Sequence, residues 1–463
     1  MISYKELSVQ DKYKNYDNSN IQNIYVEDEK NYYREEFMKM VNNLEDCVEK
    51  GQNVESDLFL RQITVNLKER NMHFDSEFIN QSNVIQIIMK GECFSDVWYS
   101  ISMIKSIYII CSNYSDLICL DIFQKCNLFK FLGFCYSKGH TELQSIIYSF
   151  LTEISLNQEI FLSISEEISL DDTFILLDDP TISFSLYNNI IQYLYKLCNQ
   201  KLDPDVINML LYKFIKNLDF GNLDTLKYII WGIYTIFNNY GVEIFSDYIY
   251  ELLPQFQRLI CNNNRKVYKP LLVTLLKLFD NKYKELLNEY NLISDQRISF
   301  CVEKLKQQQA SKKEMRIFLV FIREVLIFRE FNVDYQLILE TFSTIYSLYG
   351  SNSYEIGISS IRTYLSLLQK YLEVTKDYMF FINNNIPELL ANVCDLDDME
   401  SLINTLTIIQ VLFDYAINRN DVLTLKNLME PFVNDYLLAV DKINDPTVQE
   451  KAEILIKEIF SEG

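Results

Sequence analysis

Glycine and proline are scarce in this sequence, ten and seven among 463 residues. Both interrupt helices, so their scarcity argues against a loop-rich fold and for an all-helical chain with short connections. Histidine is scarcer still. His73 and His140 are the only two, and neither sits in an H-E-x-x-H or Cys/His spacing, which leaves a histidine-based triad or zinc site without components. No G-x-x-x-x-G-K-[ST] or G-x-G-x-x-G occurs, so the usual phosphate cradles are missing. Ten cysteines, at 47, 93, 111, 119, 126, 135, 198, 261, 301 and 394, include no C-x-x-C pair. They read as reduced thiols used as small core residues. Abundant Asp and Glu do not by themselves define an acid/base pair. No enzyme activity, metal or cofactor is expected.

Long apolar runs are also lacking. None approaches the roughly 18 uninterrupted residues of a membrane span; the stretch 317–328 is broken by Arg323 and Glu324. Residues 1–29 are polar, without the apolar core of a secretory signal. A protein of the cytoplasm or nucleus, without a membrane partner, is expected. Positive charge is in short supply: 43 Lys and Arg against 64 Asp and Glu give a net charge of −21. Such a chain repels a phosphate backbone and attracts basic peptides, so nucleic acid is not an expected partner. The clearest basic cluster, Lys304, Lys306, Lys312, Lys313 and Arg316, reads as a solvated helix face beside Glu303 and Glu314.

What the chain does have is a hydrophobic fraction of 49%, with 32 Tyr and 30 Phe, ample for a continuous core. The aromatic load reads mainly as composition bias. It also has a period. Helix-like stretches start near Ser95, Thr141, Ser183, Leu223, Lys266, Lys312, Tyr354, Asp398 and Asp445, at steps of 46, 42, 40, 43, 46, 42, 44 and 47 residues. That interval is the one of armadillo and HEAT arrays. The expected fold is an all-α, right-handed superhelical solenoid whose concave groove is an extended binding surface. Residues 1–32 read as a loose leader, 33–92 as an N-terminal helical cap, and 93–463 as about nine armadillo-like repeats. The acidic segment 166–180 reads as a connection between repeats. The acidic turn at Asp395, Asp397, Asp398 and Glu400 reads as a helix start, where carboxylates cap and meet the dipole. Pro254 and Pro387 each read as the first turn of a repeat's middle helix.

At this level the chain resembles the importin-α family, adaptors that carry basic nuclear-localisation peptides. Members end in a helix of the form N-x-x-V-Y-x-K-A-x-x-I-I-E-x-Y-F; here Val448, Lys451, Ala452, Leu455, Ile456 and Phe460 keep that pattern, while Asp445, Gln449, Lys457 and Ile459 depart from it. Residues 381–413 match the penultimate repeat in phase, and Trp231, in 226–238, stands where the family has a groove tryptophan. The resemblance implies a ladder of Trp with Asn four residues later, the amides holding the cargo backbone and the rings its Lys and Arg stems. That ladder is not kept. Trp231 is followed by Thr235, and Trp98, the only other tryptophan, by Ser102. The remaining rungs read Ser149 with Glu153, Gln192 with Lys196, Val273 with Lys277, Val320 with Glu324, and Thr407 with Val411. Glu153 and Glu324 would attract a basic cargo, whereas Lys196 and Lys277 would repel it. Trp231 itself reads equally as a groove residue or as packing between repeats. The family's basic arm, which binds importin-β, has no counterpart in residues 1–60, so importin-β is not an expected partner.

Two functions follow. The first is a protein- or peptide-binding adaptor that takes an extended segment, including a basic one, at Trp231, Thr235, Glu153, Glu324 and Trp98. The second is a structural scaffold or assembly chaperone that grips a folded partner and has no transport role.

Overall fold

The computed structural model describes residues 18–69, 74–91, 96–114, 120–155, 157–219, 222–260, 262–279, 283–307, 310–350, 353–377, 380, 386–394, 396, 398–419, 421–443 and 446–460. Among these there is no strand; the fold is all-α. The chain divides into two compact units, Met1–Gly241 and Val242–Gly463.

In the first unit the long helices Asn53–Glu69, Val97–Asn113, Thr141–Ile154, Phe184–Leu197 and Leu223–Tyr240 lie side by side, each packed on the one before it. They are called ladder helices below. Their starts are set by capping chemistry. The Asp96 carboxylate accepts from the Trp98 and Tyr99 N–H groups at 2.9 and 3.2 Å, Ser183 accepts from Leu186 at 3.3 Å, and Asn222 from Asp224 and Thr225 at 3.0 and 2.9 Å. Each cap satisfies donors that have no partner within the helix, worth about 1 kcal/mol.

Ile104, Ile107, Phe150, Leu151, Ile190, Leu194, Ile233 and Phe237, on the faces turned to neighbouring helices, are fully buried. Polar side chains then tie several ladder helices to the next. The Thr64 and Ser106 hydroxyls meet at 2.9 Å, and Asn113 Nδ2 donates to the Leu67 carbonyl at 3.1 Å. Asn189 donates to the Ser145 carbonyl at 2.9 Å and Gln200 to that of Ser155 at 2.7 Å. Asn239 donates to the Cys198 carbonyl at 3.1 Å. Like ends meet, so the helices run parallel, and partners stand 41 to 46 residues apart in sequence. The period of the sequence is thus a period of contacts, the nearest-neighbour stacking of a solenoid.

A second layer, including Val84–Lys90, Leu128–Ser137 and Pro204–Lys216, backs the ladder helices. Two differences from the sequence reading fall in this unit. The first helix, Asn18–Glu49, begins well upstream of Tyr33, so much of the stretch read as a leader is helical; residues 1–17 lie outside the described residues. Its Phe37, Val41 and Leu44 are fully buried, but the polar turns before them show no apolar period. The segment read as an acidic connection contains the helix Leu170–Leu177, with Ser169 accepting from Asp172 N at 3.0 Å. Thr173, Phe174 and Leu177 face inward while Asp171 and Asp172 stay at the surface.

In the second unit the ladder helices are Arg265–Phe279, Lys312–Phe328, Tyr354–Thr375, Met399–Arg419 and Pro446–Phe460. Arg265 pairs with Glu314 at one end of the first two, and the Phe279 and Phe328 rings meet at 5.5 Å at the other, so these also run parallel. The Lys312 helix starts with a capping box: Ser311 N donates to Glu314 Oε2 at 2.8 Å. Asp398 accepts from Ser401 N at 3.2 Å and from Arg362 Nε at 2.9 Å, so the acidic turn is a cap and a tie to the preceding ladder helix. Asp395 and Asp397 lie outside the described residues.

Nine of the ten ladder helices start within two residues of the starts read from the sequence, of which Ser95 and Asp445 lie outside the described residues; Asn53–Glu69 falls in the stretch read as the N-terminal cap. Pro387 lies in the first turn of Ile386–Cys394, but Pro254 lies inside Ile249–Leu259. The hydrogen bond its ring removes would have gone to the Tyr250 carbonyl, in the first turn of that helix.

Candidate functional site: the open stripe of the ladder helices

Burial defines one open stripe on the ladder helix that carries Trp231. On Leu223–Tyr240 the residues not buried are Asp224, Lys227, Tyr228, Trp231, Tyr234, Thr235, Asn238 and their immediate neighbours at the helix ends. At 100° per residue these fall within one side of the helix, with Trp231 near its centre. Trp231 is half-buried, and its ring meets Tyr234 edge-on at 5.4 Å. Tyr228 in turn lies 5.7 Å from Tyr195 of the preceding ladder helix, with the Lys227 ammonium 5.0 Å from the Tyr228 ring. Four half-open aromatic rings therefore continue from one ladder helix to the next. Sequence reasoning singled out Trp231 but not its companions, because Tyr195 and Tyr228 become neighbours only when two repeats stack.

Thr235 shares the stripe, yet its hydroxyl donates back to the Trp231 carbonyl at 2.8 Å within its own helix. Glu153 is half-buried on Thr141–Ile154; burial and then its charge push the Cys111 thiol on the neighbouring helix up to about 12, which keeps that thiol protonated. Trp98 is 59% exposed in the first turn of Val97–Asn113, edge-on to the His140 ring at 6.1 Å, whereas Ser102, one turn on, is buried. Near His140, a concavity of about 750 Å³ is lined by Gly139, Thr141, Glu142, Ser145 and Ser183 among others. His73 lies outside the described residues.

Glu324 belongs to the second unit. Arg323 Nε and one terminal nitrogen contact its Oε1 at 2.9 and 2.6 Å, so the charge expected to attract a basic segment is already compensated. Most of the basic cluster read as a solvated face is engaged as well. Lys306 pairs with Glu340, Lys312 and Arg316 with Glu355, and the Lys304 ammonium lies 5.4 Å from the Phe300 ring. Among the described residues no group of three or more His, Cys, Asp or Glu could hold a metal ion, and no helix is long and apolar enough to cross a membrane.

No family model and no curated protein matches the sequence. Solved structures do. An engineered protein from the Northeast Structural Genomics Consortium is similar over 91% of this chain and 100% of its own, at 11% identity and a TM-score of 0.62. A computationally designed armadillo repeat protein for modular peptide recognition is similar over 52% of this chain and 99% of its own, at 16% identity and a TM-score of 0.43. A further designed armadillo repeat protein, solved in complex with the peptide (KR)4, aligns over the same shares at 18% identity and a TM-score of 0.43. With the nearest-neighbour stacking described above, the fold is an all-α solenoid.

Proposed function

We propose that the protein binds an extended segment of a protein partner along the ladder helices of its first unit, anchored on the stripe around Trp231. The observation that carries this reading is the run Tyr195, Tyr228, Trp231 and Tyr234. These are four large rings left half-open on helices whose other faces are fully packed. Open aromatic surface of this kind is where proteins place the anchors of an interface. An indole centred on an open stripe offers its face to the alkyl stem and ammonium of a lysine, or to an arginine. The net charge of −21 favours approach of a basic or mixed-charge segment.

Kinship with the import adaptors is part of the proposal, supported by the phase of the repeats and the pattern at Val448 to Phe460. The mode of binding differs. Thr235 hydrogen-bonds within its own helix, so a backbone clamp of asparagine amides is not available there, and side-chain stacking must supply the affinity.

The test uses the Trp98→Phe variant, in which Trp231 is the sole tryptophan. Titration with a short peptide of alternating Lys and Leu is expected to shift the indole emission. Tyr228→Ala is expected to weaken that binding, by about 0.5–2 kcal/mol for a cation–ring contact. Calorimetric binding without any change in emission would refute the assignment.

A further inference from the structure

We infer that the second unit carries a separate docking face for an acidic, partly apolar peptide segment of a protein partner, formed by the parallel helices Arg265–Phe279 and Lys312–Phe328. The inference concerns other residues and the opposite charge from the proposed function, and stands or falls separately from it.

Charge is segregated along this chain. Between Arg258 and Arg329 there are fifteen Lys and Arg against seven Asp and Glu, although acids outnumber bases overall by 64 to 43. The two helices gather much of that excess on one stripe each. Lys266, Lys269, Val273 and Lys277 are spaced to share one side of the first helix, which contains no Asp or Glu. Lys313, Arg316, Val320 and Glu324 take the same phase on the second, with Arg323 beside them. Lys266, Lys313 and Arg316 are exposed, and Lys269, Lys277 and Arg323 are half-buried.

The acids facing this surface are engaged locally. Glu314 is buried, where burial works against its ionisation but hydrogen bonds from Ser311 and Arg265 outweigh it and hold the carboxyl below its usual range. Glu324 is paired with Arg323, and Glu355, from the next ladder helix, with Lys312 and Arg316. With these pairs counted in, the two helices hold eight Lys and Arg against Glu314 and Glu324, so the local field is positive on a negative molecule.

Between the cations the stripes are apolar: Val273, Leu276, Ile317 and Ile327 are half-buried and Val320 is 36% exposed. That alternation matches a segment whose acidic residues are interleaved with aliphatic ones. It suits a phosphate backbone less well, because nucleic acid would gain nothing from the apolar positions and would meet the long-range repulsion of the whole chain.

The experiment is fluorescence polarisation on the full chain. The probe is a fluorescein-labelled peptide alternating Glu with Leu and Ser. Its Gln-for-Glu counterpart and single-stranded polyuridine serve as comparisons. The acidic peptide is expected to bind at low salt, more weakly at ~150 mM salt, and the Gln peptide not to bind. The pair Lys269→Glu and Lys313→Glu is expected to weaken binding at least about tenfold, and Lys269→Gln with Lys313→Gln to give an intermediate loss at an unchanged melting temperature. Lys105→Glu and Trp231→Ala, in the first unit, are expected to leave it unchanged. Absence of binding at low salt would overturn the inference, and so would indifference to the Lys269 and Lys313 substitutions, or displacement of the peptide by polyuridine at equal charge concentration.

Discussion

Replacing Gly232 by alanine places a methyl group where Phe214 already stands. A Cβ built on Gly232 would lie 2.5 Å from Phe214 Cε2 and 2.7 Å from Cζ, whereas carbon atoms rest about 3.5–4.0 Å apart. The ring would have to retreat by about 1 Å, yet Phe214 is fully buried, as are Leu210 and Leu211 on the same helix. Overpacking of this kind costs about 1–3 kcal/mol, and the better helix propensity of alanine returns about 1 kcal/mol. The net loss for Gly232→Ala is therefore about 1 kcal/mol, and Gly232→Val, with more volume and less propensity gain, loses about 2–3 kcal/mol. Urea unfolding followed by circular dichroism measures both, and Gly232→Ala is expected to lower the melting temperature by about 2–4 °C. Phe214→Leu should be partly compensating in the Gly232→Ala background, the pair losing less than the sum of the two single changes. A Gly232→Ala protein as stable as the parent or more so would refute the close approach of these two helices.

Asp398→Asn keeps a capping acceptor but loses the charge. The Arg362 guanidinium, followed by hydrogen bonds from Ser401, holds the Asp398 carboxyl below its usual range. The carboxylate therefore stabilises the fold above its unfolded value, about pH 4, and that contribution is lost as pH falls through the lower folded value. Unfolding titrations of the two proteins should differ at pH 7 and converge in acid; a difference constant with pH would contradict the pairing. Lys213, buried with its ammonium donating to the Phe174 carbonyl and paired with Asp178, anchors the Leu170–Leu177 helix. Lys213→Met should speed hydrogen exchange in that helix while leaving the Leu223–Tyr240 helix protected, and unchanged exchange at 170–177 would show the anchor to be dispensable.

Much of the ladder was legible because several long helices announce their own starts. Asp96, Ser183, Asn222, Ser311 and Asp398 are polar caps preceding apolar periods, and caps act through residues two or three positions away. What depends on distant residues was not legible. The Leu170–Leu177 helix looked like a connection because Glu166, Glu167, Asp178 and Asp179 flank it and Asp171 and Asp172 open it, while Phe174 and Leu177 are defined as core only by what packs on them. Pro254 looked like a helix start because a first-turn proline is the common case; the five helical residues before it were too few to show a period. At the candidate site, Trp231 was visible as a rare residue. Its open setting and its ring neighbours were not, since Tyr195 and Tyr228 are brought together by stacking. The compensation of Glu324 by Arg323 depends on the rotamers of adjacent residues, which a spacing argument does not reach.

Hydroxyl-radical footprinting of the protein with and without a purified natural partner tests the central claim most directly. Oxidation of Tyr195, Tyr228 and Trp231 is expected to fall on binding, while Tyr250, 63% exposed on a second-layer helix of the other unit, keeps its reactivity. Unchanged oxidation of the Trp231 stripe, with protection confined to second-layer aromatics, would contradict segment binding on the ladder helices and favour a scaffold that grips its partner by another face.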